Sequence, residues 1–160
     1  MLFRHNDVCI MYFSLKFTYM KPSQITGGIA EDQRGHIRFV NDFDMTLTKR
    51  FYIIKNADTE LVRGWRAHRT EQRWFYVLSG SFTVDVVKID NWEKASPDLP
   101  VERMLLQASD MKVLHMPVGY GTAFRALEAD SELLVYADFD IAHAATDDYT
   151  YPVDYFVNRL

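Results

Sequence analysis

The segment from Arg63 to Gly80 holds the densest group of side chains that could do chemistry. Arg66 and His68 are two residues apart, and alternate residues of a strand share a face, so a cation and an imidazole lie side by side. Repulsion from the arginine lowers the pKa of a neighbouring histidine and favours the neutral form that accepts a proton. The pair predicts a general base at His68, with a hydrogen-bonded histidine at the edge of a core as the structural alternative.

A second strand is predicted after Thr70. Its alternation places Gln72, Trp74, Tyr76 and Leu78 on one face. On this face one polar amide is followed by three large, mostly apolar side chains. Ligand pockets are mostly apolar and contain a few polar groups that orient the ligand. This face is therefore interpreted as a pocket wall.

The composition excludes several classes of protein. The 160 residues are 48% apolar with 7 Gly and 5 Pro, which is typical of one globular domain. The single Cys9 rules out an internal disulfide framework and a multi-cysteine zinc site, and it fits a reducing cytoplasm. The net charge of −4 argues against nucleic-acid binding, and no stretch approaches the ~20 apolar residues of a membrane span. We expect a cytoplasmic protein that binds neither nucleic acid nor a membrane.

Charge is distributed unevenly along the chain. Residues 34–73 contain nine basic and five acidic residues, whereas residues 128–160 carry a net charge of −7. A basic, aromatic-rich middle in an acidic protein predicts a local anion site. Solvated charges on strand faces are the alternative.

The elements that must position these side chains are short β-strands. From Gly28 onward, runs rich in Val, Ile, Phe, Tyr and Trp alternate with turn residues; they read HIRFV, KRFYIIKN, LVRGWRAH, RWFYVLSGSFTVDVVKI, VERMLLQ, KVLHMPV, TAFRAL and ELLVYADF. No segment has sustained helical periodicity apart from a short turn near the C-terminus. Many short strands with regular turns predict an all-β sandwich or closed barrel.

The chain divides into an N-terminal extension, residues 1–19, and a single domain, residues 20–160. Arg4 precedes an apolar stretch in the extension, but Asp7 and Lys16 break the pattern of a signal peptide. Two interpretations stay open: an upstream start codon before Met20, or an extra edge strand.

Several blocks, taken in order, resemble a known family: Asp32-Gln33-Arg34-Gly35, Lys49 to Ile53, Arg63 to His68, Trp74 to Gly80, Met116-Pro117, and Leu133 to Asp138 with Asp147-Asp148-Tyr149 behind it. Their order resembles the cupin superfamily. More closely, residues 27–156 resemble the cytoplasmic ketoisomerases of dTDP-4-keto-6-deoxyglucose and the related dTDP-4-keto-sugar 3,5-epimerases. The resemblance implies a cupin jelly-roll barrel (a double-stranded β-helix), a dTDP-sugar ligand and a role in deoxysugar synthesis for surface polysaccharide.

The resemblance also implies roles for individual residues. A 3,4-ketoisomerase removes the proton beside a ketone, passes through an enediolate and returns a proton to the neighbouring carbon. His68 is then the base, Arg66 the charge that stabilises the enediolate, and Tyr52 the proton donor or a positioning hydroxyl. The substrate-binding candidates are Arg34, Arg50 and Arg63 at the pyrophosphate, with Gln72, Trp74 and Tyr76 along the ligand.

The chain departs from the family at the catalytic positions. The ketoisomerases carry a His-x-His pair whose first member is implied as the base, but here Arg66 takes that place and only His68 remains. One nitrogen ligand holds a divalent ion poorly, so no metal or other cofactor is expected. Three alternatives stay open: a sugar-nucleotide-binding cupin without activity, a 3,5-epimerase whose histidine pairs with Asp138, and a structural cupin that binds no ligand.

The aromatic content predicts an interface between subunits. Eleven Phe, nine Tyr and three Trp exceed what one small barrel needs inside, so outward rings such as Trp65 and Phe75 are expected at a dimer interface. The resembled family is dimeric and exchanges an N-terminal strand, which assigns the segment around Ile25 to that exchange. We expect a homodimer.

Overall fold

The computed structural model describes residues 20–156, and this part of the chain is built almost entirely from antiparallel strands. The strands are β1 (Ser23–Thr26), β2 (Gly28–Asp32), β3 (Gly35–Phe39), β4 (Arg50–Lys55), β5 (Val62–His68), β6 (Arg73–Ser79), β7 (Ser81–Lys88), β8 (Val101–Gln107), β9 (Lys112–Met116), β10 (Tyr120–Ala126), β11 (Glu132–Ala137) and β12 (Tyr149–Thr150). A 3-10 turn spans Ala108–Asp110, and the short helix α1 spans Ile141–Ala144. The expected all-β chain with one short C-terminal turn is confirmed.

Ten of these strands form two five-stranded sheets. The first sheet has the order β1-β9-β6-β11-β4 and the second has the order β12-β5-β10-β7-β8, while β2 and β3 form a separate hairpin. Gly80, with φ at +67°, makes the tight turn by which β6 of the first sheet passes into β7 of the second. The two sheets pack face to face as a jelly-roll barrel.

The main core fills the space between the sheets because strand residues alternate in direction. Phe75 and Val77 point inward from β6, and Phe82 and Val84 point inward from β7. The ring of Phe75 meets that of Phe124 at 5.0 Å in an edge-to-face contact. The barrel is therefore closed by packed side chains over much of its length.

A second core covers the outer face of the second sheet. Trp65 and Ala67 point outward from β5 and pack under the end of the described chain, where the ring of Phe156 lies 5.2 Å from that of Trp65. The indole of Trp65 donates to Val153 O at 3.1 Å. Trp65 is 1% exposed and Phe75 is 0% exposed, so the expectation that these two rings lie at a subunit interface is wrong: the chain covers both itself.

Residues 138–156, here called the C-terminal segment, run back across the open end of the barrel. Arg50 Nε donates to Phe139 O at 2.9 Å, and β12 pairs with β5 so that Thr150 lies opposite Arg66. The segment thereby joins the edges of both sheets beside the cavities described below.

Ile25 lies in β1, which pairs with β9 of the same chain, with Val113 as its partner. Strand exchange around Ile25 and the homodimer remain predictions. The N-terminal extension lies outside the described residues, and so do its two interpretations. Within residues 20–156, no helix has the length and hydropathy needed to cross a membrane.

Candidate active site in the barrel

Two cavities meet at the polar end of the barrel, between β4 of the first sheet and β5 of the second. The acid-base cavity, about 700 Å³, is lined by Arg50, Phe51, Tyr52, Arg66, His68, Glu71, Ile141, Ala144, Ala145 and Asp148. The basic cavity, about 440 Å³, contains the four cations Lys55, Arg63, Arg66 and Arg73 and no carboxylate. Tyr52 and Arg66 line both cavities, so one ligand can span them.

His68 lines the acid-base cavity and keeps one ring nitrogen unprotonated. Its Nδ1 lies 2.6 Å from Asp147 O; because a carbonyl only accepts, Nδ1 carries the proton and Nε2 carries the lone pair. Nε2 is buried and has no hydrogen-bond partner among residues 20–156. Burial, and next the charge of Arg73, lower the pKa of His68 to about 3. The neutral form expected from the sequence is present, but Arg66 is the smallest of its causes.

The loop after His68 is held by the carboxylate of Asp147. Three consecutive backbone N–H groups, those of Arg69, Thr70 and Glu71, donate to it at 2.9, 2.8 and 2.7 Å. Although burial raises the pKa of Asp147, these bonds outweigh burial and lower it overall. One residue of the C-terminal segment thus fixes both the loop and the tautomer of His68.

Arg66 faces the cavities but is not buried. Its side chain is 57% exposed and forms an ion pair with Asp148, with Nε 2.9 Å from Oδ1. Much of its charge is therefore compensated by a neighbour and screened by water.

Glu71 is a site residue that the sequence reasoning missed. Its carboxylate accepts from Arg50 Nη2 at 2.8 Å, and its other oxygen, Oε1, lies 3.8 Å from His68 Nδ1. Burial raises the pKa of Glu71, while Arg50 and Arg73 oppose this. Oε1 is buried without a hydrogen-bond partner in the described chain, as is His68 Nε2.

Arg73 is the second missed residue. It lies at the start of β6, the central strand of the first sheet, and its side chain points into the barrel. Nη2 donates to Thr122 Oγ1 at 3.0 Å, and the whole residue is 3% exposed. Alternation along β6 is the signal that finds it, because Arg73 and Phe75 share the face opposite to Trp74.

The pocket wall expected from Gln72, Trp74 and Tyr76 lies on the outer face of the first sheet. Gln72 Oε1 accepts from His115 Nε2 at 2.8 Å, and the ring of Trp74 stacks on His115 at 5.2 Å. Tyr76 lies on the same face two residues further along β6, whereas Phe75 between them points to the other face. Residues 69–72 form a bend with no strand pairing, so the alternation of β5 does not carry over to β6.

Two further sequence candidates are also apart from the cavities. Arg34 lies at the tip of the β2–β3 hairpin, where it pairs with Asp32 and lines neither cavity. Asp138 accepts from the backbone N–H of Gln72 at 2.8 Å, and His68 makes its hydrogen bond to Asp147 instead. The structure therefore brings together Tyr52, Arg50, Arg63, Arg66 and His68, and leaves out Arg34, Gln72, Trp74, Tyr76 and Asp138.

The site offers donors for oxygen anions rather than ligands for a metal. In the part of the chain that the structure describes, no group of three or more His, Cys, Asp or Glu side chains is placed to hold a metal ion. A neutral imidazole, arginines and a tyrosine are the side chains of proton transfer beside a carbonyl.

Solved structures with the same fold include sugar-nucleotide enzymes. A variant of the 3,4-ketoisomerase QdtA from Thermoanaerobacterium thermosaccharolyticum, in complex with TDP-4-keto-6-deoxyglucose, is 20% identical, with a TM-score of 0.61 over 84% of this chain and 91% of that one. The TDP-quinovose 3,4-ketoisomerase WlaRB from Campylobacter jejuni is 18% identical, with a TM-score of 0.61 over 84% and 96%. The RmlC epimerase of Mycobacterium tuberculosis is 16% identical, with a TM-score of 0.67 over 85% and 72%. These likenesses establish the cupin jelly-roll fold.

Sequence comparison assigns the family. No curated protein sequence matches the chain. The family model described as WxcM-like, C-terminal, and named FdtA, matches residues 20–160 and so covers the whole of the predicted domain. The chain therefore belongs to the WxcM-like, C-terminal family, with a cupin jelly roll whose polar end holds the candidate site.

Proposed function

We propose that this protein is a sugar-nucleotide 3,4-ketoisomerase that moves the ketone of a dTDP-4-keto-6-deoxyhexose from C4 to C3 without a metal ion or redox cofactor. The observation that carries the proposal is the neutral, buried His68, which lines a cavity together with Tyr52 and Arg66 and whose Nε2 has no hydrogen-bond partner among residues 20–156. Family membership and the fold shared with an enzyme bound to TDP-4-keto-6-deoxyglucose support it.

The reaction needs one base and one group that stabilises an oxyanion. His68 Nε2 takes the proton from C3, the electron pair of that C–H bond forms a C3–C4 double bond, and the C4 carbonyl oxygen becomes an oxyanion. Protonated His68 then returns a proton to C4, Tyr52 gives its proton to the C4 oxyanion and takes up the proton of the 3-hydroxyl, and the carbonyl stands at C3. Tyr52 lines both cavities and is the proposed donor to the sugar oxygen.

The two cavities suggest how the substrate lies. Arg63 and Lys55 at the rim of the basic cavity suit the pyrophosphate, and Arg63 forms no ion pair with any carboxylate of residues 20–156. Arg50 is already engaged by Glu71 and by Phe139 O, so its proposed role changes from binding phosphate to holding the site together. The sugar then extends past Tyr52 and Arg66 to His68.

Proton NMR of dTDP-4-keto-6-deoxyglucose in deuterated water tests the proposal. Loss of the C3 proton signal with a new 3-keto product supports the isomerase, and loss of both C3 and C5 signals supports the epimerase instead. Binding without any exchange means a sugar-nucleotide-binding cupin without activity.

The matched variants for this experiment are His68→Gln and His115→Gln. Both residues are partly or fully buried histidines with a lowered pKa, but His115 lies on the outer face beside Trp74. Exchange should be lost in the first variant and retained in the second. Equal loss in both would remove His68 from its proposed role.

We also propose that the enzyme is a cytoplasmic homodimer that supplies deoxysugars for surface polysaccharide. Exposed apolar side chains support the dimer: Phe51 and Ile53 on the edge strand β4, and Ile37 on the β2–β3 hairpin, which is 67% exposed. Light scattering of the wild type and of Ile37→Asp tests it, since a dimer built on this surface should become monomeric in the variant.

A further inference from the structure

The floor of the basic cavity is formed by a buried cation that has no carboxylate partner. Arg73 donates through Nη2 to Thr122 Oγ1 at 3.0 Å and to Arg66 O at 3.5 Å, and both acceptors are neutral. No carboxylate of residues 20–156 lies within ion-pair distance of its guanidinium, whereas Arg50 and Arg66 are paired with Glu71 and Asp148. Burial lowers the pKa of Arg73, although Tyr52 and, from beyond ion-pair distance, Glu71 favour its charged form. A cation that is buried in a cavity wall without an ion pair indicates a place for an anion.

The position of Arg73 is fixed by strands in the middle of both sheets. It lies between Met116 of β9 and Ala137 of β11, and its acceptor Thr122 is a fully buried residue of β10 in the opposite sheet. Phe75, the next inward residue of β6, has its ring 5.4 Å from the guanidinium carbon. A donor held this rigidly on an apolar floor requires little reorganisation to bind a negative charge.

Arg73 also acts on the proposed base. It is the neighbouring charge that most lowers the pKa of His68, ahead of Arg66. A negative oxygen bound to Arg73 would cancel this repulsion and attract a proton, so the pKa of His68 would rise as the oxygen becomes charged. Proton removal and charge development are thereby coupled.

We propose that Arg73 binds an anionic oxygen of the ligand at the junction of the two cavities, and that this oxygen is the enediolate formed when His68 removes the substrate proton. The identity of the oxygen rests on the proposed function; the anion site itself does not. Arg73 thereby takes over the stabilising role expected of Arg66, whose charge is exposed and already compensated.

Arg73→Gln tests the site, with Arg103→Gln as the matched control because Arg103 pairs with Asp85 away from both cavities. We expect C3 exchange to fall about 10²- to 10³-fold in Arg73→Gln, as for loss of one oxyanion donor, while the affinity for dTDP changes less than about threefold. Arg73→Lys, which keeps the charge, should recover part of the rate. Exchange at the wild-type rate, or a large loss of dTDP affinity, which would indicate a phosphate site, overturns the proposal.

Thermal unfolding without substrate provides an independent readout. Oxalate, whose paired oxygens imitate an enediolate, should raise the melting temperature of the wild type and not that of Arg73→Gln. A wild type that shows no exchange but keeps this oxalate response disproves the ketoisomerase and leaves the anion site standing; no response overturns the site.

Discussion

The interior of the barrel has an apolar half and a polar half, and both are carried by the same strands. On β6 the change occurs between two successive inward residues, from Arg73 to Phe75. Side chains in the apolar half pack against one another, and almost all of them lack hydrogen-bonding groups. In the polar half, His68 Nε2 and Glu71 Oε1 are buried without a partner among the described residues. The apolar half therefore stabilises the fold, whereas the polar half contains hydrogen-bonding groups that the described chain does not use.

The largest effect on stability should come from the apolar half. Phe82 is fully buried in the main core, so Phe82→Ala should lower the free energy of unfolding by about 3–5 kcal/mol. Leu105→Ala on the exposed side of β8 is the control, with a change within about 0.5 kcal/mol. Urea unfolding measures both. Similar losses for the two would mean that the core is less tightly packed than the structure shows.

The next largest effect on stability is expected from a variant in the polar half. Asp147→Asn removes the charge that accepts three backbone N–H groups, and it should cost about 2–3 kcal/mol, since hydrogen bonds to charged groups are the strong ones. Asp148→Asn, next in the chain, breaks only the exposed pair with Arg66 and should cost about 1 kcal/mol or less. Equal costs for the two variants, measured by urea unfolding, would show that the loop does not depend on Asp147.

Acid should weaken the polar half through His68. Its pKa is about 3 in the folded protein and about 6.5 when unfolded, so below pH 6.5 the unfolded chain takes up a proton that the folded chain does not. Stability from this residue is complete above pH 6.5 and is lost toward pH 3, at up to about 1.4 kcal/mol per pH unit. His68→Gln lacks this loss, so its stability relative to the wild type should improve by about 2 kcal/mol between pH 7 and 5. Parallel pH profiles of unfolding would contradict the buried neutral imidazole.

The smallest effect is expected at Arg66. Its exposed ion pair with Asp148 contributes little, so Arg66→Ala should change stability by less than about 1 kcal/mol. We expect C3 exchange to fall about tenfold, far less than for Arg73→Gln, because water screens its charge. Exchange rates of the two variants under the same conditions decide which arginine serves the enediolate. A larger loss at Arg66 would restore the role that the sequence assigned to it.

The sequence predicted the strands well and the faces only in part. The run LVRGWRAH corresponds to β5, and its alternation correctly grouped Arg66 with His68 and Trp65 with Ala67. Alternation does not tell which face is inside, because both faces of this strand are covered. Trp65 was therefore expected at an interface although the C-terminal segment buries it.

Glu71 and Arg73 were missed for a related reason. Charged residues are usually exposed, and only the burial of the bend under Asp147 and the pairing of β6 turn these two inward. Asp147 itself is 79 residues from His68, a separation at which local patterns carry no information about contact. The fold class follows from local periodicity, whereas the geometry of the site follows from pairing across the whole domain.

The distance along the chain between His68 and Asp147 also sets the order in which the protein matures. During synthesis the strand with the imidazole is made well before the carboxylate that positions it, since 79 residues separate the two. Long-range contacts form late because their loops are costly to close. A nascent chain that ends before Asp147 lacks the acceptor that orients His68 and the ring of Phe156 that covers Trp65, so the candidate site is completed only when the last residues of the domain are in place.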